Sequence, residues 1–166
     1  GGQCEFVSVT GDDEPANFTK HALEQYGVRS TLFVDTSRCT TFKTRYAVDN
    51  QKIFRVSRLD SHSISKDLED QLCCKIEQLI DDVDCVIFSD FSYGVLSTKL
   101  VQEIKSRCKA LNKLLLADSQ SSSQLGNLSK FNGCDIILPT EKEARLAVGG
   151  LADGLEFVAQ RLINDI

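Results

Sequence analysis

Short apolar runs in this chain alternate with stretches whose apolar residues keep helical spacing, and few architectures accommodate that order. From Ser65 onward, Leu68, Leu72, Cys73, Ile76, Leu79 and Ile80 have the spacing of one helix face. The runs Cys85 to Phe88, Leu114 to Ala117 and Cys134 to Leu138 read as buried strands. Leu100, Ile104, Cys108 and Leu111 mark a helix between the first two, with Ser97 as its cap. Glu141 to Val148 and Leu155 to Ile163 read as the last two helices. Strands joined through helices run parallel, so the pattern predicts an α/β fold with a mostly parallel sheet covered on its faces.

The first part of the chain adds two strands and a ribbon. Cys4 to Val9 and Thr31 to Val34 are short and apolar-rich. Between them Gly11 offers a turn, Pro15 suits a first helical turn, and Gly27 is a natural stop for a helix over Ala16 to Tyr26. Residues 40 to 58 are different: Phe42, Tyr46 and Val48 alternate with polar residues, Asp49-Asn50 marks a turn, and Ile53, Phe54 and Val56 resume an extended pattern. This segment predicts a hairpin, and it is rich in cations: Lys43, Arg45, Lys52, Arg55 and Arg58. No internal repeat occurs, and no linker divides the chain.

The chain has 166 residues, of which 42% are hydrophobic and 26% charged, enough for a core of ordinary kind. A net charge of -5 gives no basic excess to neutralise a nucleic-acid backbone, and a small phosphorylated ligand needs only a few placed cations. There is no signal peptide and no apolar run long enough to span a membrane, so a cytoplasmic location is expected. The seven cysteines include no C-x-x-C pair, and with two histidines they read as reduced thiols rather than a zinc site. The chain lacks Met and begins Gly1-Gly2, which reads as a fragment of a longer protein.

Ligands of open α/β sheets bind beyond the carboxyl ends of the strands. Asp90, Asp118, Thr140 and Glu143 follow three successive strands, so they are candidates for one crevice. Each also has an ordinary structural reading. Asp90 with Gly94, and Asp118, suit turns. Thr140-x-x-Glu143 fits a capping box, which needs no ligand, and the spacing alone favours it. The hairpin cations suit a solvated face equally well; a functional role for Lys43, Arg45 and Arg55 would be to hold a phosphate, since guanidinium groups bind phosphate oxygens in pairs.

Taken in order, Val9-Thr10-Gly11-Asp12-Asp13-Glu14, Thr41-Phe42-Lys43-Thr44-Arg45-Tyr46, Ile53-Phe54-Arg55-Val56, Ser89-Asp90-Phe91 with Gly94-Val95-Leu96, Leu116-Ala117-Asp118, and Ile137-Leu138-Pro139 with Glu143 resemble the PfkB/ribokinase-type carbohydrate kinases. The Lys-Thr-Arg-Tyr segment followed by an Arg-Val strand resembles the heptose-7-phosphate kinase domain of bifunctional ADP-heptose synthases in particular. The resemblance implies a ribokinase-like three-layer sandwich with a small β flap over residues 40–58. It implies transfer of the γ-phosphoryl group of Mg-ATP to a sugar hydroxyl, the sugar being one already phosphorylated, such as heptose 7-phosphate. Asp90, Lys43, Arg45 and Arg55 are then expected at the sugar phosphate, Asp118, Thr140 and Glu143 at the nucleotide, and Glu143 near magnesium through water.

The chain departs from the family pattern at several places. It has no Gly-Ala-Gly-Asp segment, which carries the family's catalytic Asp, and no early Gly-Gly-Ala-x-Asn segment. Thr140 stands for Asn, Gln120 for the Lys of Asp-Pro-Lys, and Tyr93 for the Lys of Asp-x-x-Lys-Gly. The expectation is a central piece of a kinase domain that neither catalyses phosphoryl transfer alone nor binds Mg-ATP tightly. The alternatives are a non-catalytic kinase-like binding module, possible as a fusion to a nucleotidyltransferase, and a unit that forms a homodimer through the flap or exposed sheet edges.

Overall fold

A computed structural model describes residues 2–49, 51–120 and 127–165. The chain forms two compact units, one up to Leu72 and one from Cys73 onward. The division falls inside helix α2, Lys66–Ile80, rather than in a linker.

In the first unit, strands β1 (Glu5–Thr10) and β2 (Arg29–Val34) pair in parallel, from Glu5 opposite Arg29 to Thr10 opposite Val34. Helix α1 (Glu14–Gln25) makes the crossover. Asp13 caps it by accepting from the Ala16 amide at 3.2 Å, Pro15 sits in its first turn, and Gly27 turns the chain at φ 69° just past its end. Asp13 carries the cap and not only the favourable charge expected of an acid there.

Strands β3 (Phe42–Val48) and β4 (Gln51–Arg58) form the antiparallel hairpin that the alternation predicts. Asp49 adopts φ 48° at the turn; Asn50 lies outside the described residues. The register slips between Tyr46 and Ala47, a bulge that adds local twist. Tyr46 and Phe54 face each other across the strands and stack with ring centroids 4.4 Å apart. Every residue of β4 is exposed.

The base of the hairpin is tied down by polar contacts. Thr40 donates its amide to Asp13 at 3.0 Å, and Arg58 pairs with the same carboxylate at 2.9 Å. The Cys39 amide donates to Asp60 at 2.8 Å, and Arg38 pairs with Asp35 at 2.8 Å with both side chains buried. The Gly11 amide donates to Thr40 Oγ1 at 2.9 Å. A Cβ at Gly11 would lie 2.5 Å from the Arg38 carbonyl oxygen, so glycine is required there by close approach of two backbones.

The second unit holds the sheet that positions the site. Strands β5 (Cys85–Asp90), β6 (Leu114–Ser119) and β7 (Ile136–Leu138) lie side by side in the order β5-β6-β7, all parallel. Parallel pairing is thus divided between this sheet and the β1–β2 pair. Helix α3 (Thr98–Ala110) is capped by Ser97, whose Oγ accepts from the Leu100 amide at 3.0 Å, and buries Leu100, Val101, Ile104 and Cys108. A 3-10 turn over Leu128–Phe131 precedes β7. It fully buries Phe131, whose ring lies 5.8 Å from that of Phe88. Burial of one such ring is worth roughly 1.5–3 kcal/mol, enough to hold so short an element in place. Asn127 starts this turn by accepting from the Ser129 amide at 3.0 Å. Helices α4 (Glu141–Val148) and α5 (Leu155–Asp165) close the unit through Ala144, Val148, Val158 and Leu162. Among the described residues no helix is long and apolar enough to cross a membrane.

Candidate functional site

Asp90 ends β5 and lies opposite Ser119 of β6, Asp118 lies opposite Leu138 of β7, and Glu143 lies in the first turn of α4, the helix that follows β7. The parallel register therefore brings Asp90, Asp118, Thr140 and Glu143 to one end of one sheet. That is the edge where α/β folds receive ligands.

Asp90 is 4% exposed. Its Oδ1 accepts from the Ser92 amide at 2.9 Å, closing a turn in which Ser92 takes φ 60° and Gly94 takes φ 82°. Its Oδ2 lies 2.6 Å from the ammonium of Lys130, which is itself nearly buried. The charge is thus paired, while the direction of approach leaves Oδ2 without a well-aligned hydrogen bond. Lys130 is a site residue that the sequence reading missed. It lies on the 3-10 turn, far from Asp90 in the chain, and only the sheet brings the two together.

Asp118 is half-buried, and the Gln120 amide group donates to its Oδ2 at 3.3 Å. A neutral amide therefore stands beside Asp118 at the position where the family pattern has a cation.

Thr140 and Glu143 form the capping box in full. The Glu143 amide donates to Thr140 Oγ1 at 3.3 Å, and the Thr140 amide donates to Glu143 Oε2 at 2.7 Å. The Thr140 hydroxyl also donates to that oxygen at 2.7 Å. Glu143 is 4% exposed, so this carboxylate is a structural part of the helix start as well as a group at the strand ends.

In the other unit, Lys43, Arg45 and Arg55 share one face of the hairpin. Lys43 is opposite Ser57 and Arg45 is directly opposite Arg55, whereas Phe42, Tyr46, Phe54 and Arg58 belong to the other face. Arg58 pairs with Asp13. Among the described residues, neither Arg45 nor Arg55 has a hydrogen-bonded or acidic partner. Like charges directly opposite one another destabilise a ribbon unless an anion lies between or near them.

The shifted titrations belong to the hairpin base and to the thiols. Hydrogen bonds hold three carboxyl groups below their usual range: the Thr40 hydroxyl foremost at Asp13, the Ser37 hydroxyl at Asp35, and the Cys39 amide at Asp60. Burial, reinforced by Glu103, pushes the Cys73 thiol up to about 11, which makes it a poor nucleophile at neutral pH. Among the described residues, no group of three metal-binding side chains comes together.

Comparison with known proteins agrees with this architecture. Residues 1–163 match the pfkB family carbohydrate kinase model. The bifunctional protein HldE of Helicobacter hepaticus is 37% identical over 148 residues, covering 89% of this chain and 30% of that protein. HldE of Helicobacter pylori is 33% identical over 141 residues, covering 84% of this chain and 30% of that protein. The chain thus spans about a third of the length of the curated relatives it matches. In the fold, adenosine kinase of Trypanosoma brucei brucei superposes with a TM-score of 0.75 at 16% identity, over 98% of this chain and 51% of that one. Ribokinase of Giardia lamblia gives 0.72 at 15% identity, over 96% and 48%. The fold is ribokinase-like α/β, and the chain belongs to the pfkB family of carbohydrate kinases.

Proposed function

We propose that this chain is the central part of an ATP-dependent kinase acting on a sugar phosphate of the heptose 7-phosphate type, the chemistry of ADP-heptose precursor synthesis. The observation that carries the reading is the pairing of Arg45 with Arg55 across the hairpin, with Lys43 on the same face and no acid beside either arginine among the described residues. Two guanidinium groups held together favour a doubly charged anion, and a phosphate monoester supplies both the charge and the paired acceptors. The identity with HldE proteins supports the heptose class. In this reading the ligand phosphate lies on Lys43, Arg45 and Arg55.

Mg-ATP fits the strand-end acids in a restricted way. Glu143 Oε2 already accepts two hydrogen bonds from Thr140, so Glu143 would meet magnesium through water rather than directly. Asp118, half-buried and bonded only to a neutral amide in the described residues, is the freer acid. Thr140 and the start of α4 would lie toward the nucleotide phosphates. Magnesium, when bound, neutralises phosphate charge. Because the chain carries no Gly-Ala-Gly-Asp segment, it is expected neither to turn over nor to bind Mg-ATP tightly by itself.

Calorimetry of the 166-residue chain with heptose 7-phosphate, and with the same heptose lacking the phosphate, tests the reading. Binding of the phosphorylated sugar and not of the free sugar is expected; equal affinity for both would sink the phosphate assignment. Turnover belongs to a chain extended to the length of the curated relatives, assayed with Mg-ATP and heptose 7-phosphate.

A second reading, a non-catalytic module that pairs with another copy, is favoured by the opposite face of the hairpin. Phe42, Tyr46, Phe54 and Val56 are each roughly half exposed there. An isolated two-stranded ribbon is marginal, and covering that face would stabilise it. Sedimentation of Tyr46→Glu decides: a species lighter than the wild type supports pairing, and an unchanged one removes it.

A further inference from the structure

The ammonium of Lys130 touches both ends of the loop that follows β5. Its Nζ lies 2.6 Å from Asp90 Oδ2 and donates to the Leu96 carbonyl at 3.0 Å. The loop between these points is strained, with Ser92, a residue that has a Cβ, at φ 60° and Gly94 at φ 82°. Lys130 is in turn held from behind. Lys105 of α3 donates to the Lys130 carbonyl at 3.3 Å and to the Asn132 carbonyl, and the neighbouring Phe131 is fully buried against Phe88. The ammonium is therefore placed by a well-packed scaffold, while in the loop it grips Phe91 and the buried Tyr93 stack on each other and the polar end at Asp90 and Ser92 is held by few bonds.

Around this contact the strand ends are short of hydrogen bonds. The hydroxyls of Ser92 and Ser119 are buried without a partner among the described residues, and Asp90 Oδ2 has its charge paired but no aligned donor. Ser119 is opposite Asp90 in the register. Three under-satisfied polar atoms, two at one strand pair and one in the loop, leave the polar end of this loop to be set largely by the cation.

We infer that Lys130 is the positioning residue of this crevice: it clamps residues 90–96 and thereby fixes the Asp90 carboxylate. It supplies from the 3-10 turn a cation that neither Tyr93 nor Gln120, the neutral residues of the adjoining loops, provides. The ligand part of the inference rests on the sugar-phosphate reading, whereas the clamp itself does not.

Hydrogen exchange on the 166-residue chain reads the clamp directly, because the Ser92 amide donates to Asp90. Lys130→Met should speed exchange of the amides of residues 91–96 by about tenfold or more while the interior of α3 keeps its protection. Lys130→Arg should restore the wild-type pattern. Lys130→Gln, which removes the charge but keeps a donor for the Leu96 carbonyl, serves if the methionine variant does not fold. Unchanged exchange in a folded Met or Gln variant would overturn the clamp, and so would equal acceleration throughout the chain. Calorimetry with heptose 7-phosphate reads the consequence: an affinity lower by about tenfold in Lys130→Met, rescued by Arg, is expected. Binding that is present and unaltered in the Met variant would overturn the positioning role. If the wild-type chain binds no heptose 7-phosphate, the sugar-phosphate reading falls, and the exchange comparison still decides the clamp.

Discussion

Arg45 and Arg55 face each other across the hairpin with no acid beside them among the described residues, whereas Asp90, at the end of β5, is met by Lys130 at 2.6 Å. Both regions carry charge, and they treat it in opposite ways. At the strand ends every acid is tied to something inside its own unit: Asp90 to Lys130, Asp118 to Gln120 and Glu143 to Thr140. On the hairpin Arg45 and Arg55 are exposed, side by side and without an acidic partner among the described residues. The physical lesson is that a buried carboxylate must be compensated in advance, because desolvation is costly, while exposed cations can wait for a ligand at little expense. The strand ends are preorganised, and the hairpin face is where an anion gains most.

Substitution tests that contrast, and the largest effect belongs at the strand ends. Asp90→Ala leaves the Lys130 ammonium buried without its counter-charge, and breaking a buried pair costs about 3 kcal/mol or more. A urea midpoint within error of wild type would mean that the pair is solvated and the contrast false. Next comes Gly11→Ala, at the base of the hairpin. Its Cβ would meet the Arg38 carbonyl oxygen at 2.5 Å and the Thr40 nitrogen at 2.8 Å, both backbone atoms, so a loss of about 2 kcal/mol is expected. Retained stability would show that the 38–40 segment shifts freely, and the hairpin would then have no fixed base.

Acid should loosen that base as well. Asp13, Asp35 and Asp60 are all held below the ordinary carboxyl value of 3.8 by hydrogen bonds that exist only in the folded chain. A carboxyl group with a depressed folded value contributes stability that is fully present above its unfolded value and lost as pH falls through the folded one. The urea midpoint should therefore hold steady down to the neighbourhood of 3.8 and drop below it, and Asp35→Asn should make that drop shallower. An acid limb of identical steepness in the variant would remove Asp35 from the account.

The two regions also differ in how far the sequence discloses them. The hairpin is legible because its cause is local: alternation at Phe42, Tyr46 and Val48 sets the faces, and the turn at Asp49 sets the register. The capping box at Thr140 is legible for the same reason, since all its partners lie within four residues. The Lys130–Asp90 pair was not, because it depends on the packing of Phe131 under β5, a contact no spacing encodes. Leu128 and Phe131 at i and i+3, with Asn127 ahead of them, were a readable sign of a short helical turn, although not of what its lysine reaches. The buried Arg38–Asp35 pair escaped likewise: the residues are close in sequence, but nothing in their order says that they are inside.

A smaller effect separates helix capping from ligand contact. Thr140→Ala removes one acceptor and one donor from the start of α4 and should cost about 1 kcal/mol. Thr140→Ser keeps both groups and should sit near wild type. An alanine variant as stable as the wild type would show that Glu143 holds the helix start without help, freeing its carboxylate for other work.

Arg45→Ala should move stability least, within about 0.5 kcal/mol and in the direction of a small gain, because it relieves the repulsion of Arg45 by Arg55. Its effect on heptose 7-phosphate should run the other way, with affinity falling as one arm of the paired cations is lost. The two readouts diverge only if the repulsion is kept for an anion. A variant that loses stability without losing affinity would mean that Arg45 packs rather than binds, and the charge of Arg45 and Arg55 would then have the same structural role as the paired charge of the strand ends.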